Sequence, residues 1–147
     1  MSPLEQSQRE AVVAEALTWL GTKFHHCADV KGAGVDCAML LYRSFVDTGV
    51  ITDKPDPRPY PTQWFLHKKD RDDFVNMVRF LGGHEVEKPK RGDICVWKVG
   101  HAYAHGGIMM NENEFVHSWA GDGMVTTTLM EHAPHKLVRY FTFWPEV

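Results

Sequence analysis

Cys37 lies in the stretch GVDCAML, between an acidic residue and an apolar run. Free cysteine is one of the most often buried residue types, so position alone favours a core thiol. If Asp36 caps a helix, however, Cys37 begins that helix, where unpaired backbone N–H groups and the helix dipole stabilise a thiolate. An ionised Asp36 would oppose this effect, and we expect it to act mainly as the cap. Cys37 is therefore either a core thiol or a nucleophile whose pKa the helix start lowers.

Two histidines could supply the base that a thiol nucleophile needs and the group that orients this base. His105 begins a predicted strand in AHGGIMM, and His117 lies on the next predicted strand in EFVHSW. Adjacent antiparallel strands bring such side chains together, and the glycines after His105 leave room for another element to approach. Each histidine alone is more typical of a structural sheet residue. Their combination with Cys37 favours cysteine–histidine chemistry.

Three helices are predicted in the first part of the chain. Ser2 and Glu5 have the spacing of a capping box, and the first helix should cover residues 3–20. A second helix should follow Asp36, and a third is expected over residues 70–81. The proline-rich segment DKPDPRPYP between them predicts a connection that wraps over the surface, because each proline removes an amide donor.

Strand-like segments follow one another in the second part of the chain. They cover residues 93–99, 105–110, 114–119, 124–129 and 137–144. Helices first and strands second predict an α+β fold with an antiparallel sheet. A length of 147 residues suits one domain, and we expect residues 1–147 to form it.

Composition argues against several classes of protein. A net charge of -3 does not provide the basic surface that nucleic acids need, so we expect no nucleic-acid partner. No apolar run approaches the roughly 20 residues of a membrane span. The start MSPLEQSQRE lacks the regions of a secretory signal, and we expect synthesis in the cytoplasm without a signal peptide. Three cysteines favour free thiols over a disulfide framework.

Two groups of residues could be zinc ligands. They are His25, His26, Cys27 and Cys37, and separately His101 with His105. A structural zinc site needs tightly spaced pairs such as Cys-x2-Cys, which this sequence lacks. We therefore expect no metal and no organic cofactor. Cys27 should be an accessory thiol near the cleft, and Cys95 a core residue of its strand.

Most of the tryptophans are expected in the core or the cleft wall. They are Trp19, Trp64, Trp97, Trp119 and Trp144. Trp119 is the exception, because it lies two residues after His117 and therefore on the same strand face. The charged stretch HKKDRDD predicts a solvated surface.

Several segments resemble the NlpC/P60 family of cysteine peptidases, and more closely its phage-associated branch of cell-wall peptidases. WLGTKFHHCADVKGAGVDCAMLL is similar to the family's Gly-Thr-Pro-Tyr, loop and Asp-Cys segment. YPTQW resembles the connection of the phage branch, and KRGDICVW resembles the Pro-Gly-Asp strand. HGGIM and FVHSW resemble the two histidine strands. The order and spacing of these pieces carry more weight than any one of them.

The resemblance implies a papain-like fold, in which N-terminal helices carrying the cysteine pack on an antiparallel sheet carrying the histidines. It makes Cys37 the nucleophile, His105 the base and His117 the residue that orients the imidazole. The implied reaction is hydrolysis of an amide bond in the peptide stems of bacterial peptidoglycan. Without a signal peptide, such an enzyme would be carried to the cell wall or periplasm by a phage tail or by other means, with phage tail proteins as partners.

The sequence departs from the family pattern at the substrate site. Phe24 stands where many members have tyrosine, and Lys23 replaces the proline. If that tyrosine hydroxyl helps to bind the oxyanion, the backbone amide of Cys37 and another donor such as His26 would replace it. Asp36 and Trp119 are further candidates for this site.

Two other functions remain open at this point. One is a structural tail component with weak or no catalysis, which the Phe24 departure supports. The other is an acyltransferase or deamidase on the same scaffold, because an acyl-enzyme can react with an amine as well as with water.

Overall fold

The computed structural model describes residues 1–60 and 72–145. The helices are α1 (Pro3–Leu17), α2 (Cys37–Val46) and α3 (Asp73–Phe80), with a short 3-10 helix over Met130–His132. The strands are β1 (Asp29–Val30), β2 (Gly34–Val35), β3 (His84–Val86), β4 (Ile94–Val99), β5 (Ala102–Asn111), β6 (Glu114–Trp119), β7 (Met124–Leu129) and β8 (Val138–Thr142). None of the helices in these residues is long and apolar enough to cross a membrane.

A six-stranded antiparallel sheet forms one side of the molecule. Its strand order is β3-β8-β4-β5-β6-β7, and α2 and α3 pack against β5. Ile108 of β5 pairs with Val116 of β6, and both are fully buried with Phe45 of α2 in the main core. Helices thus precede the sheet and cover it, which confirms the predicted α+β fold.

The first helix begins as predicted and ends early. Ser2 is its N-cap, and Ser2 Oγ accepts a hydrogen bond from the backbone N–H of Glu5 at 3.1 Å. The Glu5 carboxylate accepts from Arg9 Nε at 2.9 Å, although the sequence predicted that it would close a capping box on Ser2. The helix ends at Leu17 instead of residue 20, because the N–H groups after it, beginning with Thr18, bond to carbonyls three residues back.

The glycines next to His105 let a helix approach the sheet. A Cβ on Gly106 would lie 2.4 Å from the Phe74 ring of α3, so any side chain there would push that helix away. A Cβ on Gly107 would lie 2.8 Å from the Phe115 ring of β6. The predicted close approach after His105 is therefore confirmed.

Several element boundaries differ from the prediction. Strand β5 begins at Ala102, so His105 lies inside a strand and not at its start. The third helix begins at Asp73, and residues 70 and 71 of the predicted helix both lie outside the described residues. The last strand ends at Thr142, two residues before the predicted end.

Three short strands were not predicted. The small hairpin of β1 and β2 lies in a segment that the sequence indicated as a loop, and β3 joins the sheet edge beside β8. Strands of two or three residues are too short to give a periodic hydrophobic pattern. β1 and β2 pair with each other across a short turn, whereas β3 pairs with β8, which is distant in sequence.

The tryptophans follow the prediction where the structure describes them. Trp19, Trp97 and Trp144 are buried, whereas Trp119 is half-buried. Trp64 and most of the HKKDRDD stretch lie outside the described residues. Cys95 is fully buried in β4, as expected of a core residue.

Candidate active site

A cavity of about 310 Å³ lies between the start of α2 and the strands that carry the histidines. Six of the predicted site residues line it: Phe24, His26, Asp36, Cys37, His105 and Trp119. The seventh, His117, is fully buried and contacts His105. The structure therefore brings together all the residues that the sequence singled out.

Asp36 holds three segments together at the cavity. Its Oδ1 accepts from the backbone N–H of Met39 at 2.9 Å, which confirms it as the N-cap of α2. Its Oδ2 accepts from the N–H of Cys27 at 2.7 Å and from the hydroxyl of Tyr60 at 2.6 Å. Only 3% of Asp36 is exposed. Its contacts therefore join the loop before α2 and the proline-rich connection to the helix start.

Cys37 is the first residue of α2 and is partly exposed at the cavity. Burial raises the pKa of the Cys37 thiol to about 12, and the negative charge of Asp36 raises it further. Backbone N–H groups of Gly106, Ala38 and Cys37 itself lower the pKa by less. The helix start thus lowers the thiol pKa and Asp36 opposes it, as expected, but burial outweighs the helix terminus and the net pKa is raised.

His105 and His117 form a direct imidazole pair. His105 Nε2 lies 2.7 Å from His117 Nδ1, and the ring centroids are 5.0 Å apart. The strands β5 and β6 that carry them are neighbours in the sheet, as the sequence predicted. Because Nε2 of His105 is engaged with His117, Nδ1 is the nitrogen left for other chemistry.

Both imidazoles are neutral in the resting site near neutral pH. Burial holds the pKa of His105 well below its ordinary value, and charges on His117 and His135 would lower it further. Burial lowers the pKa of His117 to about 4, although the carboxylate of Asp122 acts in the opposite direction. With the Cys37 thiol protonated, the site holds a neutral thiol and two neutral imidazoles. This arrangement can pass a proton from sulfur to nitrogen when a reacting group arrives.

The sequence profile of the NlpC/P60 family matches residues 19–141, which include every predicted site residue. The chain belongs to the NlpC/P60 family. A comparison with curated proteins finds no match.

Solved structures share the fold of this NlpC/P60 chain at low sequence identity. NlpC1 from Trichomonas vaginalis has a TM-score of 0.67 at 16% identity, with 95% of this chain and 45% of that chain covered. The peptidoglycan hydrolase RipB from Mycobacterium tuberculosis has a TM-score of 0.65 at 16% identity, with 99% and 70% covered. The NlpC/P60 domain of the peptidoglycan hydrolase SagA has a TM-score of 0.58 at 15% identity, with 89% and 97% covered.

These comparisons confirm the predicted NlpC/P60 fold. The chain spans less than half the length of NlpC1, so the NlpC/P60 fold is what the two share. The three α-helices and the six-stranded antiparallel sheet in the described residues are the elements of that fold.

Phe24 and His26 form one wall of the NlpC/P60 cavity. Phe24 is half-buried and offers no hydroxyl. His26 Nε2 lies 3.0 Å from the carbonyl oxygen of Tyr60. Because a carbonyl oxygen can only accept, this nitrogen carries the proton. The contact engages the N–H that His26 would need as an oxyanion donor.

One group of side chains in the described residues could hold a metal ion. His26, Cys27 and Asp36 each offer a ligand atom, and these atoms lie within 4.8 Å of one another. The same atoms already have partners, since Cys27 Sγ lies 3.3 Å from His26 Nε2 and Asp36 Oδ2 accepts two hydrogen bonds. The group is thus satisfied without an ion.

Sequence reasoning missed four residues around the site. Tyr60 lines the cavity and donates to Asp36, and His135 stacks edge-on against Trp119 with ring centroids 4.7 Å apart. Thr128 and Asp122 lie near the second nitrogen of His117. The run of three threonines in MVTTTL was the available signal for Thr128, because Thr126 and Thr128 are two residues apart and share a strand face. Tyr60 begins the YPTQW segment of the family resemblance but was not identified there as a site residue, and nothing in the sequence pointed to His135 or Asp122.

Proposed function

We propose that this protein is a cysteine hydrolase that cleaves an amide bond in the peptide stems of bacterial peptidoglycan. The observation that carries the proposal is one cavity lined by Cys37 and His105, with His117 bonded to His105 at 2.7 Å. Membership of the NlpC/P60 family supports it. Two structures that share the fold, SagA and RipB, are named peptidoglycan hydrolases, which gives the substrate class.

Cys37 acts as the nucleophile in this mechanism. As its sulfur attacks the scissile carbonyl, the thiol proton moves to Nδ1 of His105, and a tetrahedral oxyanion forms. The C–N bond then breaks, and the imidazolium gives its proton to the departing amine. The product is a thioester on Cys37. Water attacks this thioester while His105 takes a proton, and the carboxylic acid leaves as the thiol is restored.

The raised pKa of Cys37 determines the timing of the first proton transfer. A thiol with a pKa of about 12 is almost entirely protonated near neutral pH. The proton must therefore leave during the attack and not before it. His105, whose pKa lies below its ordinary value, is unprotonated at that pH and can receive it.

The start of α2 provides donors for the oxyanion. The first backbone N–H groups of a helix have no partner within the helix, and Asp36 takes the N–H of Met39. The N–H groups of Cys37 and Ala38 lie close enough to the Cys37 sulfur to lower its pKa. These two groups can bind the oxyanion, a role for which Phe24 has no hydroxyl.

The test is incubation of the purified protein with peptidoglycan fragments, followed by mass spectrometry of the products. A hydrolase gives a new amine and a new carboxylic acid, and Cys37→Ala should give neither. Cys95→Ala is the matched control, because Cys95 is buried in β4 away from the cavity. An added amine acceptor appearing in the product would indicate an acyltransferase instead. Equal turnover by Cys37→Ala and wild type would refute the assignment.

Delivery by a phage tail or a related particle, with tail proteins as partners, stays a prediction. The similarity of YPTQW and its neighbouring segments to the phage branch supports it. Detection of the protein by mass spectrometry in purified particles would test it, and its restriction to the host cytoplasm would contradict it.

A further inference from the structure

The second ring nitrogen of His117 faces two oxygen atoms. His117 Nε2 lies 3.1 Å from Thr128 Oγ1 and 3.6 Å from Asp122 Oδ2. Asp122 belongs to the turn between β6 and β7, and Thr126 Oγ1 donates to its Oδ2 at 2.8 Å. This contact holds the Asp122 carboxylate in place near the buried imidazole.

Only one proton can lie between His105 Nε2 and His117 Nδ1, because one of these two nitrogens must donate and the other must accept. Two arrangements exist when both rings are neutral. In the first, His105 donates through Nε2, its Nδ1 is bare, and His117 carries its own proton on Nε2. In the second, His117 donates through Nδ1, His105 carries its proton on Nδ1, and His117 Nε2 is bare. Only the first arrangement lets His105 accept the proton of Cys37.

Thr128 does not distinguish the two arrangements, because a hydroxyl can donate or accept. An ionised carboxylate only accepts, so it attracts an N–H group and repels a bare nitrogen lone pair. We propose that Asp122 selects the arrangement in which His117 carries its proton on Nε2, and so keeps Nδ1 of His105 free to accept the Cys37 proton. The inference rests on the proposed function, since it concerns the base of that reaction.

Asp122 acts in this scheme as a positioning residue, because it reaches the reacting atoms only through His117. Asp122 has a second effect when the His105–His117 pair becomes positively charged. The Asp122 carboxylate raises the pKa of His117, whereas a charge on His135 would lower it. Cys37 of α2 lines the same cavity as His105 and carries the proton at issue. Asp122 therefore also stabilises the imidazolium that forms during the attack.

Asp122→Asn tests the proposal because it keeps the shape of the side chain and an oxygen for Thr126, but removes the charge. Asp47→Asn is the matched control. Both carboxylates have side chains that are 42% exposed, and Asp47 pairs with Arg43, outside the cavity lining. ¹⁵N NMR of histidine-labelled protein reports which ring nitrogens carry protons. Wild type and Asp47→Asn should have a bare Nδ1 at His105, and Asp122→Asn should gain the arrangement with a proton there.

Turnover gives a second measurement. Asp122→Asn should lower kcat/KM about tenfold, and the acidic limb of its pH profile should move to lower pH because the imidazolium loses its anion. A purely structural defect would lower the rate at every pH without moving the limb. Unchanged protonation at His105 in Asp122→Asn would overturn the inference whatever the rates are. If wild type has no activity on peptidoglycan, the proposed function fails, and the NMR result still decides the role of Asp122.

Discussion

The Tyr60 hydroxyl donates a hydrogen bond to Asp36 Oδ2, with 2.6 Å between the two oxygens. This bond links the proline-rich connection to the cap of the helix that carries Cys37. A hydrogen bond to a charged acceptor contributes more to stability than one between neutral groups, because a buried charge has fewer alternative hydrogen-bond partners. The position of the proposed nucleophile therefore depends on a residue distant from it in sequence.

Tyr60→Phe should lower the free energy of unfolding by about 1.5–3 kcal/mol, because it removes a donor from a buried carboxylate. Urea unfolding monitored by circular dichroism measures this change. Tyr42→Phe is the matched control: its hydroxyl donates to the neutral carbonyl of Lys54 at 2.8 Å, so its loss should cost about 0.5–1.5 kcal/mol. Equal losses in the two variants would mean that the charge of Asp36 adds nothing.

The two histidines should respond differently to substitution. His105→Ala and His105→Asn should both lose roughly 10²- to 10⁴-fold in turnover, because an amide cannot shuttle the proton. His117 needs to make one hydrogen bond to His105, which an amide can also make. His117→Asn should therefore keep more activity than His117→Ala.

Initial rates of the four histidine variants on one stem peptide measure this difference, with circular dichroism to confirm folding. Activity in His105→Asn, combined with its loss in both His117 variants, would mean that the base and the orienting residue are exchanged. Four variants with wild-type rates would place the chemistry elsewhere.

Alkylation of Cys37 by iodoacetamide should accelerate with pH. Below its pKa the thiolate fraction rises about tenfold per pH unit, so a pKa of about 12 predicts no plateau between about pH 7 and pH 10. Cys95 is the control, because its pKa is also raised to about 12 but its side chain is fully buried. It should react more slowly at each pH. Mass spectrometry of the peptides gives both rates, and a plateau near pH 7 would indicate a thiolate–imidazolium pair.

Removal of metal should not affect the protein. The possible ligand atoms of His26, Cys27 and Asp36 already contact one another or the backbone. EDTA should leave turnover and the thermal midpoint unchanged, and protein prepared without added metal should hold no stoichiometric zinc. A lower midpoint in EDTA, reversed by zinc, would identify the group as a structural metal site.

The sequence was sufficient to predict the parts of the fold that local signals specify. The Ser2 and Asp36 caps, the glycines after His105 and the alternation of the long strands all have local physical causes. The two-residue strands beside the site and the early end of α1 gave no such signal. Val30 and Gly34 pair across a hairpin too short for a periodic pattern. The N–H groups after Leu17 bond to carbonyls three residues back although no glycine or proline lies in residues 18–20.

The candidate site was predictable in its residues but not in its charges. Cys37, His105 and His117 could be found because their spacing and elements suit one chemistry. The raised pKa of the Cys37 thiol could not be predicted, because it depends on how deeply the folded chain buries the sulfur. Tyr60 and Asp122 were missed for a related reason, since each reaches the site from a loop whose position the sequence pattern does not specify.

Buried neutral histidines should make the protein sensitive to mild acid. The pKa of His117 is about 4 in the folded protein against an ordinary value of 6.5, and that of His105 is also lowered. Between these values the unfolded chain binds protons that the folded chain does not. The free energy of unfolding should therefore be constant above about pH 6.5 and fall below it, by up to about 1.4 kcal/mol per pH unit for each histidine.

Urea unfolding at several pH values from about 7 down to 5 measures this slope, and carboxylates contribute little in the upper part of that range. His117→Asn removes one of the two buried groups and should give a shallower slope than wild type. His101→Asn removes an exposed histidine instead, and its slope should match that of wild type. If all three proteins lost stability equally on acidification, His117 would not be a buried neutral imidazole, and the proton arrangement inferred for the pair would lose its basis.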